Sequence, residues 1–368
     1  MPAPLTKLSI RNFKSIKQMD ELTLNTGINV LIGANGAGKS NLISFFAMLG
    51  AMAKGELQQY SLSNGGPDSL FFNGNYDNDK NLAAELTFMS NVYAFSLKGG
   101  VGDSLSLVEE KTAVDGRWQS YLNCGREARL STWANRAGDM VCRHIQQAIS
   151  SWRIYHFQYT GSASPLRRAS SIHDCNFYYS DGSNLSSFLW GLKKDHPAVF
   201  DKIENAVRQI LPSFSGFDLA AVKDESQPDN RRVWLYWRQK NSEYRYKPWQ
   251  FSDGAVRFIA LAAALLQPEP PTTVIIDEPE LGLHPHALSV FAGLMHEAAL
   301  SGTQLIIATQ NPELLNSLEA DNIITVNQVG GESLFERLSS SELEDWLEEY
   351  TLGELFSRNI IQAGLTCA

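Results

Sequence analysis

Two short stretches carry side chains able to act on a phosphate anhydride. Residues 33–40 read GANGAGKS, an unbroken G-x-x-x-x-G-K-S string, and residues 273–280 read TVIIDEPE. In the first, Gly33, Gly36 and Gly38 let backbone N–H groups approach an anion closely. Lys39 would reach its outer phosphates, and the Ser40 hydroxyl suits Mg²⁺. Gly33, Ala34, Asn35, Gly36, Ala37, Gly38, Lys39, Ser40 and Asn41 are therefore the candidate phosphate contacts. In the second stretch, Asp277 would hold the Mg²⁺ shell while Glu278 polarises an attacking water. Phosphoryl transfer needs charge neutralisation and positioning, so the pair of stretches predicts a nucleoside triphosphate with Mg²⁺ as the ligand.

Each string also has a bland reading, as a chance glycine-rich turn or a strand that ends in an acidic turn. The flanks decide between them. An apolar run, Ile28–Ile32, precedes the first string, and Leu42, Ile43, Phe45, Phe46 and Leu49 follow it at helical spacing. A third stretch, FSDG (251–254), opens a helical pattern 22 residues before residue 273. Ser252, Asp253 and Gly254 place a hydroxyl, a carboxylate and a flexible backbone at a helix N-terminus. That is either an ordinary N-cap or an anion-facing arrangement.

The elements that must position these residues are legible in outline. KLSIRNF (7–13) alternates like an edge or half-buried strand. After a polar stretch (61–80), AAELTFM, VYAFSLK and SLSLVEE predict an antiparallel meander, whereas residues 112–150 read poorly and look like an insertion. Residues 152–159 return to strand. A helical pattern covers about 161–212, with Ala198, Phe200, Ile203, Ala206, Val207, Ile210 and Leu211 in period. Residues 231–251 predict a hairpin and 255–266 a helix, and TVIIDE (273–278) and TQLIIAT (303–309) read as buried strands. IITVNQV and SLFERL predict a closing hairpin around Gly330 and Gly331. Ser341 and Glu344 predict a capping box for a last helix bearing Leu343, Trp346, Leu347 and Tyr350.

Composition narrows the class. The chain has 368 residues and a net charge of −9, so no global field draws it to polyanions, and any such contact must be local. Cys124, Cys142, Cys175 and Cys367 are scattered without ligand spacing, which predicts reduced thiols in a cytoplasmic protein. The N-terminus has no apolar core of a signal peptide, and the longest apolar stretch, 258–266, is too short to span a bilayer.

Taken together, IRNFKSI (10–16), GANGAGKSNLI (33–43), FSDG (251–254), RFIALAAALLQP (257–268), IDEPELGLHP (276–285), ATQ (308–310) and WLEEYTLGEL (346–355) resemble one group. These are short bacterial ATPases of the AAA class, ABC-type heads similar to RecF, to SMC proteins and to the ATPase part of OLD nucleases. The resemblance implies an α/β head with a mixed sheet, an antiparallel β subdomain and a helical lobe. It places a nucleotide lobe at 1–160 and 251–340 (with the insertion at 90–150), a helical signature lobe at 161–250 and a C-terminal helix at 341–368. Two heads would pair head to tail around two ATP molecules and part after hydrolysis.

Residue roles follow from the same resemblance. Ser252, Asp253 and Gly254 become the signature that meets the partner's γ-phosphate. Residues 281–285 become the loop that crosses the dimer interface; His284 lies there, either in that role or as a structural histidine. Gln158 matches a position that senses Mg²⁺ and water, or is simply a strand-end glutamine. Gln310 stands where most ABC ATPases carry a switch histidine; an amide can bond a phosphate but carries no charge, which predicts slow hydrolysis. Arg11 and Lys14 are nucleotide-proximal basic residues or solvated strand charges.

The resemblance further implies DNA maintenance or antiviral defence, with a separately encoded nuclease or Toprim-like effector. A transporter's nucleotide-binding subunit and a non-hydrolysing scaffold are the alternatives. FSDG lacks the L-S-G-G-Q form that the transporter reading expects, and intact Lys39, Asp277 and Glu278 speak against the scaffold. Residues 231–247 carry six Arg or Lys against one Glu, interleaved with Trp234, Tyr236, Trp237, Tyr244 and Tyr246. That is either a nucleic-acid strip or the cross-strand pairing of a half-buried hairpin.

Overall fold

The computed structural model describes residues 3–74, 80–100, 103–120, 125–133, 139–223, 231–361 and 365–366. Cys124 and Cys367 lie outside them, as do parts of the 61–80, 90–150 and 341–368 segments named above. Alternation builds the first layer. β1 (Lys7–Phe13) buries Leu8, Ile10 and Phe13 and pairs antiparallel with β2 (Ile16–Thr23), a strand the sequence did not reveal. β3 (Ile28–Ile32), buried throughout, then leads into α1 (Lys39–Lys54) and α2 (Leu57–Ser63). β4 (Leu82–Phe88), β5 (Asn91–Gly100), β6 (Ser104–Val114) and β7 (Arg117–Ser120) form the expected meander. The six-stranded order is β2-β1-β4-β5-β6-β7, so β1 is interior to the sheet.

The poorly legible 112–150 stretch contains β7, a short α3 (Leu130–Trp133) and α4 (Met140–Ser151), whose first turn Asp139 caps by accepting from Cys142 N at 2.9 Å. Cys142, Ile145, Ala148 and Ile149 of α4 share one core with α1, so this stretch is packed into the first layer.

β8 (Arg153–Tyr155) and β9 (Ser170–Ser171) follow, then α5 (Leu185–Asp195) and α6 (Pro197–Ile210). Helix therefore starts at Leu185; residues 161–184 hold only a 3-10 turn at Pro165–Arg167 and β9, because Gly, Pro and Ser dominate that span. β10 (Phe214–Lys223) and β11 (Arg231–Gln239) pair antiparallel, and β9 joins the far edge of β11. This corrects the 231–251 hairpin. The partner of β11 comes from upstream, and the downstream arm is reduced to one bridge between Trp237 and Tyr246. Pro248 has no N–H to extend it.

α7 (Asp253–Leu265), β12 (Thr273–Asp277), α8 (Pro285–Leu300), β13 (Gln304–Thr309), α9 (Pro312–Leu315), β14 (Ile323–Val329) and β15 (Glu332–Arg337) complete the centre. The C-terminal helix is two pieces, α10 (Glu344–Leu347) and α11 (Leu352–Ser357), before β16 (Leu365–Thr366). No cap forms between Ser341 and Glu344. The capping box belongs to Thr351 and Glu354, where Thr351 N donates to the Glu354 carboxylate at 2.9 Å.

The central sheet runs β15-β14-β3-β13-β12-β8, with β14, β3, β13, β12 and β8 parallel and β16 beside β14. Its two faces feed two cores. Ile28, Val30, Ile32, Val274, Ile276, Leu305 and Ile307 pack with α5–α8. Leu31, Ile275, Ile306, Ala308 and Ile324 pack with α1 and the antiparallel sheet. Burial on both faces explains the unbroken apolar runs. The longest helices, α1 and α8, span 16 residues, and no helix among the described residues is long and apolar enough to cross a membrane.

A buried amide fixes how the two sheets meet. Gln304 Nε2 donates to the carbonyls of Leu5 (2.7 Å) and Asn25 (2.8 Å), and its Oε1 accepts from Leu5 N and Thr273 Oγ1 at 3.2 Å each. Gln304→Leu would strand the Leu5 N–H and carbonyl in the interior, which costs about 3 kcal/mol. Urea denaturation should show a lower midpoint with an unchanged slope; an unchanged midpoint would mean that the amide carries no net stability.

Candidate nucleotide site

The loop 33–38 joins the end of β3 to the start of α1. First-turn N–H groups of a helix have no intrahelical partner, and the cap here, Gly38 at φ 114°, offers no side chain to satisfy them. Asn35, Gly36 and Ser40 are exposed, so this donor cluster is open to an anion. The glycines divide the work. A Cβ on Gly33 would sit 2.3 Å from the Val326 carbonyl oxygen, and one on Gly38 would sit 2.0 Å from Ser333 Oγ. Gly36, at φ 83°, has nothing within 4 Å. Gly33 and Gly38 are thus needed to pack against the β14–β15 hairpin, and Gly36 is the one with open space for a phosphate.

Two serines brace the loop. Ser333 Oγ donates to the Ala37 carbonyl at 2.6 Å and lies within hydrogen-bond distance of Ser15 Oγ at 2.7 Å, and Asn41 Nδ2 donates to Ser15 at 2.6 Å. Nothing in the sequence marked Ser15 or Ser333, because their part depends on a contact between chain ends 318 positions apart. Lys39 folds back, with Nζ donating to the carbonyls of Gly33 (2.7 Å) and Ala34 (3.0 Å). Burial lowers its pKa, opposed by the charges of Glu278, Asp277 and Glu280.

β12 brings the carboxylates to this loop. Ser40 Oγ donates to Asp277 Oδ2 at 3.0 Å, while Asp277 Oδ1 is buried without a partner. Glu278 turns the chain out of the strand in a left-handed conformation (φ 49°), with its N–H on the Ala308 carbonyl at 2.8 Å. Burial, with Asp277 and Glu280 beside it, raises the Glu278 pKa, and Lys39 offsets this in part. Glu280, which the sequence reading passed over, accepts from Gln310 N at 2.9 Å and keeps Oε2 buried and unpartnered. The third carboxylate of TVIIDEPE was its signal.

These residues fit a hard divalent cation. A hydroxyl and a carboxylate meet at 3.0 Å beside an orphaned carboxylate oxygen, the donor set from which Mg²⁺ takes one or two protein ligands and completes its shell with phosphate and water. Among the described residues no group of three His, Cys, Asp or Glu forms a self-sufficient metal cage. Ser40 and Asp277 would hold the ion, which would neutralise phosphate charge.

The other expected residues fall in three places. Ser252 Oγ caps α7 by accepting from Ala255 N at 3.1 Å, and Asp253 pairs with buried Arg167 at 2.7 Å. Arg167 also holds the Thr160, Pro248 and Phe251 carbonyls, fixing the segment that presents Ser252. Gly254 abuts the 281–285 turn, since a Cβ there would lie 2.3 Å from the Gly282 carbonyl oxygen. Arg257, buried and unanticipated, donates to the Phe157 and Gln158 carbonyls at 2.9 and 2.8 Å. The Gln158 side chain is exposed. His284 is exposed and its Nδ1 accepts from His286 N at 3.3 Å, capping α8. Lys14 Nζ donates to Ser44 Oγ at 2.7 Å, one turn beyond Ser40 on α1, with its pKa lowered by burial. Arg11 is exposed and pairs with Asp20 at 3.4 Å, so the solvated-charge reading describes its contacts.

Phosphate loop, carboxylate strand and serine-capped helix, arranged on a central parallel sheet with an antiparallel sheet against it, define an ABC-type P-loop head. Residues 28–316 match the family described as "AAA domain, putative AbiEii toxin, Type IV TA system", and the chain belongs to it. The fold is that of SMC heads. The chain is similar to an SMC head bound to the C-terminal winged-helix domain of ScpA (18% identity, TM-score 0.56, covering 93% of this chain and 99% of that one). It is similar again to the Pyrococcus furiosus SMC head with an extended coiled coil bound to the ScpA C-terminal domain (16% identity, TM-score 0.55, covering 94% and 98%). No functionally curated protein matches in sequence.

Three carboxylates surround one ammonium here, so a bare triphosphate is repelled. Mg²⁺ should tighten ATP binding about tenfold or more over EDTA, and Asp277→Asn should shrink that ratio while improving Mg²⁺-free binding. Titration with a fluorescent ATP analogue checks this; an unchanged ratio would remove Asp277 from the metal shell.

Proposed function

We propose that this chain is a slow ATPase that works as an ATP-gated dimeric switch, two copies pairing head to tail around two ATP molecules. The observation that carries the reading is the separation of two half-sites. Ser252 and Asp253 are exposed, and among the described residues no hydrogen bond or ion pair joins 251–257 to 33–41. A second copy would bring its Ser252, Asp253 and Gly254 to the first copy's phosphate loop. Glu278 would take a proton from water as its oxygen attacks the γ-phosphorus, and ADP would leave. Lys39 and the loop N–H groups would neutralise the charge that develops. Gln310 supplies no cation at the switch position, which supports a timer.

A cytoplasmic role in DNA maintenance or anti-phage defence fits this reading, with a separate effector such as a nuclease or Toprim-like protein. Support for a protein partner comes from the two SMC heads, each solved with part of ScpA bound.

Two tests follow. Because the Glu278 pKa is raised and its ionised form is the base, turnover should fall as pH drops through a value above the ordinary glutamate pKa of about 4.3. Glu278→Gln should abolish turnover yet retain ATP and the dimer; a monomer with ATP bound would defeat the sandwich. Ser252→Arg and Lys39→Ala should each be inactive. Mixed, they should regain about a quarter of wild-type turnover per chain, from one good site in the mixed half of the dimers. Undiminished activity of Ser252→Arg alone would show the signature reading to be wrong.

A further inference from the structure

We propose that the outer face of the three-stranded sheet is a platform for single-stranded nucleic acid. Alternation along β11 sends Val233, Leu235 and Trp237 into the core and leaves Trp234 and Tyr236 half-buried on the other face. Their partners across the ladder are Ala220 and Asp218. Trp249 extends the row, edge-on to Trp234 at 6.2 Å and 52% exposed. Tyr246 bridges Trp237 and packs on it at 4.6 Å, so Tyr246 and Tyr244 belong to the other side of the sheet, and Arg245 between them faces outward. The outer-face row is therefore Trp249, Trp234 and Tyr236, a contiguous aromatic surface on which bases can stack.

Cations are laid among the rings. The Arg245 guanidinium lies 4.0 Å from the Tyr236 ring centre, and Lys247 Nζ lies 5.2 Å from that of Trp249. Arg231, Arg232, Arg238 and Lys240 are exposed on the same strand and its turn. Asp218 holds Arg238 at 2.8 Å and Arg245 at 3.1 Å, which fixes those planes. Arg238, Arg245 and Lys247 stand against Asp218 on this face, a local cationic excess in a chain of net charge −9 that is complementary to a polyanion. Exposed ring faces and a flat guanidinium accept splayed bases, which a duplex keeps stacked and a peptide lacks. A nine-residue strand is ~30 Å long, suited to a site of a few nucleotides.

The inference deepens the nucleic-acid part of the function proposed above, but needs neither dimer nor ATP, so the two fail separately. Labelled dT and rU oligonucleotides and a duplex of equal length would be titrated by anisotropy with the full chain, without ATP, at low and high salt. Both single strands should bind more tightly than the duplex, and binding should weaken with salt. Trp249→Ala should cost about tenfold or more in affinity while leaving the salt dependence unchanged. Lys240→Glu with Lys247→Glu should reduce the salt dependence. ATP binding and the thermal midpoint should stay as in wild type. Absence of binding, equal affinity for the duplex, an unaffected aromatic variant, or displacement by polyglutamate as effective as by oligonucleotide would each overturn the proposal.

Discussion

The hydrogen bond from Ser40 to Asp277 joins residues 237 positions apart, and the rest of the fold is arranged so that it can form. Its condition is strand register. Ala308 on β13 pairs with Leu31 of β3 on one side and Asp277 of β12 on the other, so the parallel strands end level and discharge their loops at one place. A slip of one residue would exchange the two faces of β12, sending Ile275 to the wrong core and Asp277 away from the loop. The two hydrophobic cores therefore do more than hold the sheet together. By dividing the apolar positions of β3, β12 and β13 between them, they leave a single alignment.

Electrostatics at that place run against stability. Three carboxylates gather at strand ends around one ammonium, and two of their oxygens are buried without partners. Such an arrangement costs free energy until a cation and an anion together satisfy it. The strained φ of Glu278 belongs to the same picture, since a left-handed non-glycine residue at a strand end persists only when its surroundings hold it there.

How much of this the sequence disclosed depended on the range of the interaction. The phosphate loop, the carboxylate strand and the capped helix at Ser252 were legible because each is a local string whose geometry follows from neighbours. So were the meander and the closing hairpin. β2 was missed because IKQMDELT has no clean alternation, and β10 because its partner lies across a segment the hairpin pattern ignored. Ser15, Ser333, Arg167 and Arg257 could not be read at all, because what makes each matter is a carbonyl or hydroxyl supplied from far along the chain. The glycines taught the converse lesson: their motif was plain, but Gly33 and Gly38 answer to Val326 and Ser333 as well as to any ligand.

Arg257 has a mechanical consequence. One guanidinium on α7 grips the carbonyls of Phe157 and Gln158, and its Nη1 would lie 3.0 Å from a Cβ on Gly282. Two surface loops that look independent along the chain, at 157–158 and 281–285, thereby meet at one side chain of α7. Loss of that one side chain would therefore be felt in both loops at once, although they lie more than a hundred positions apart.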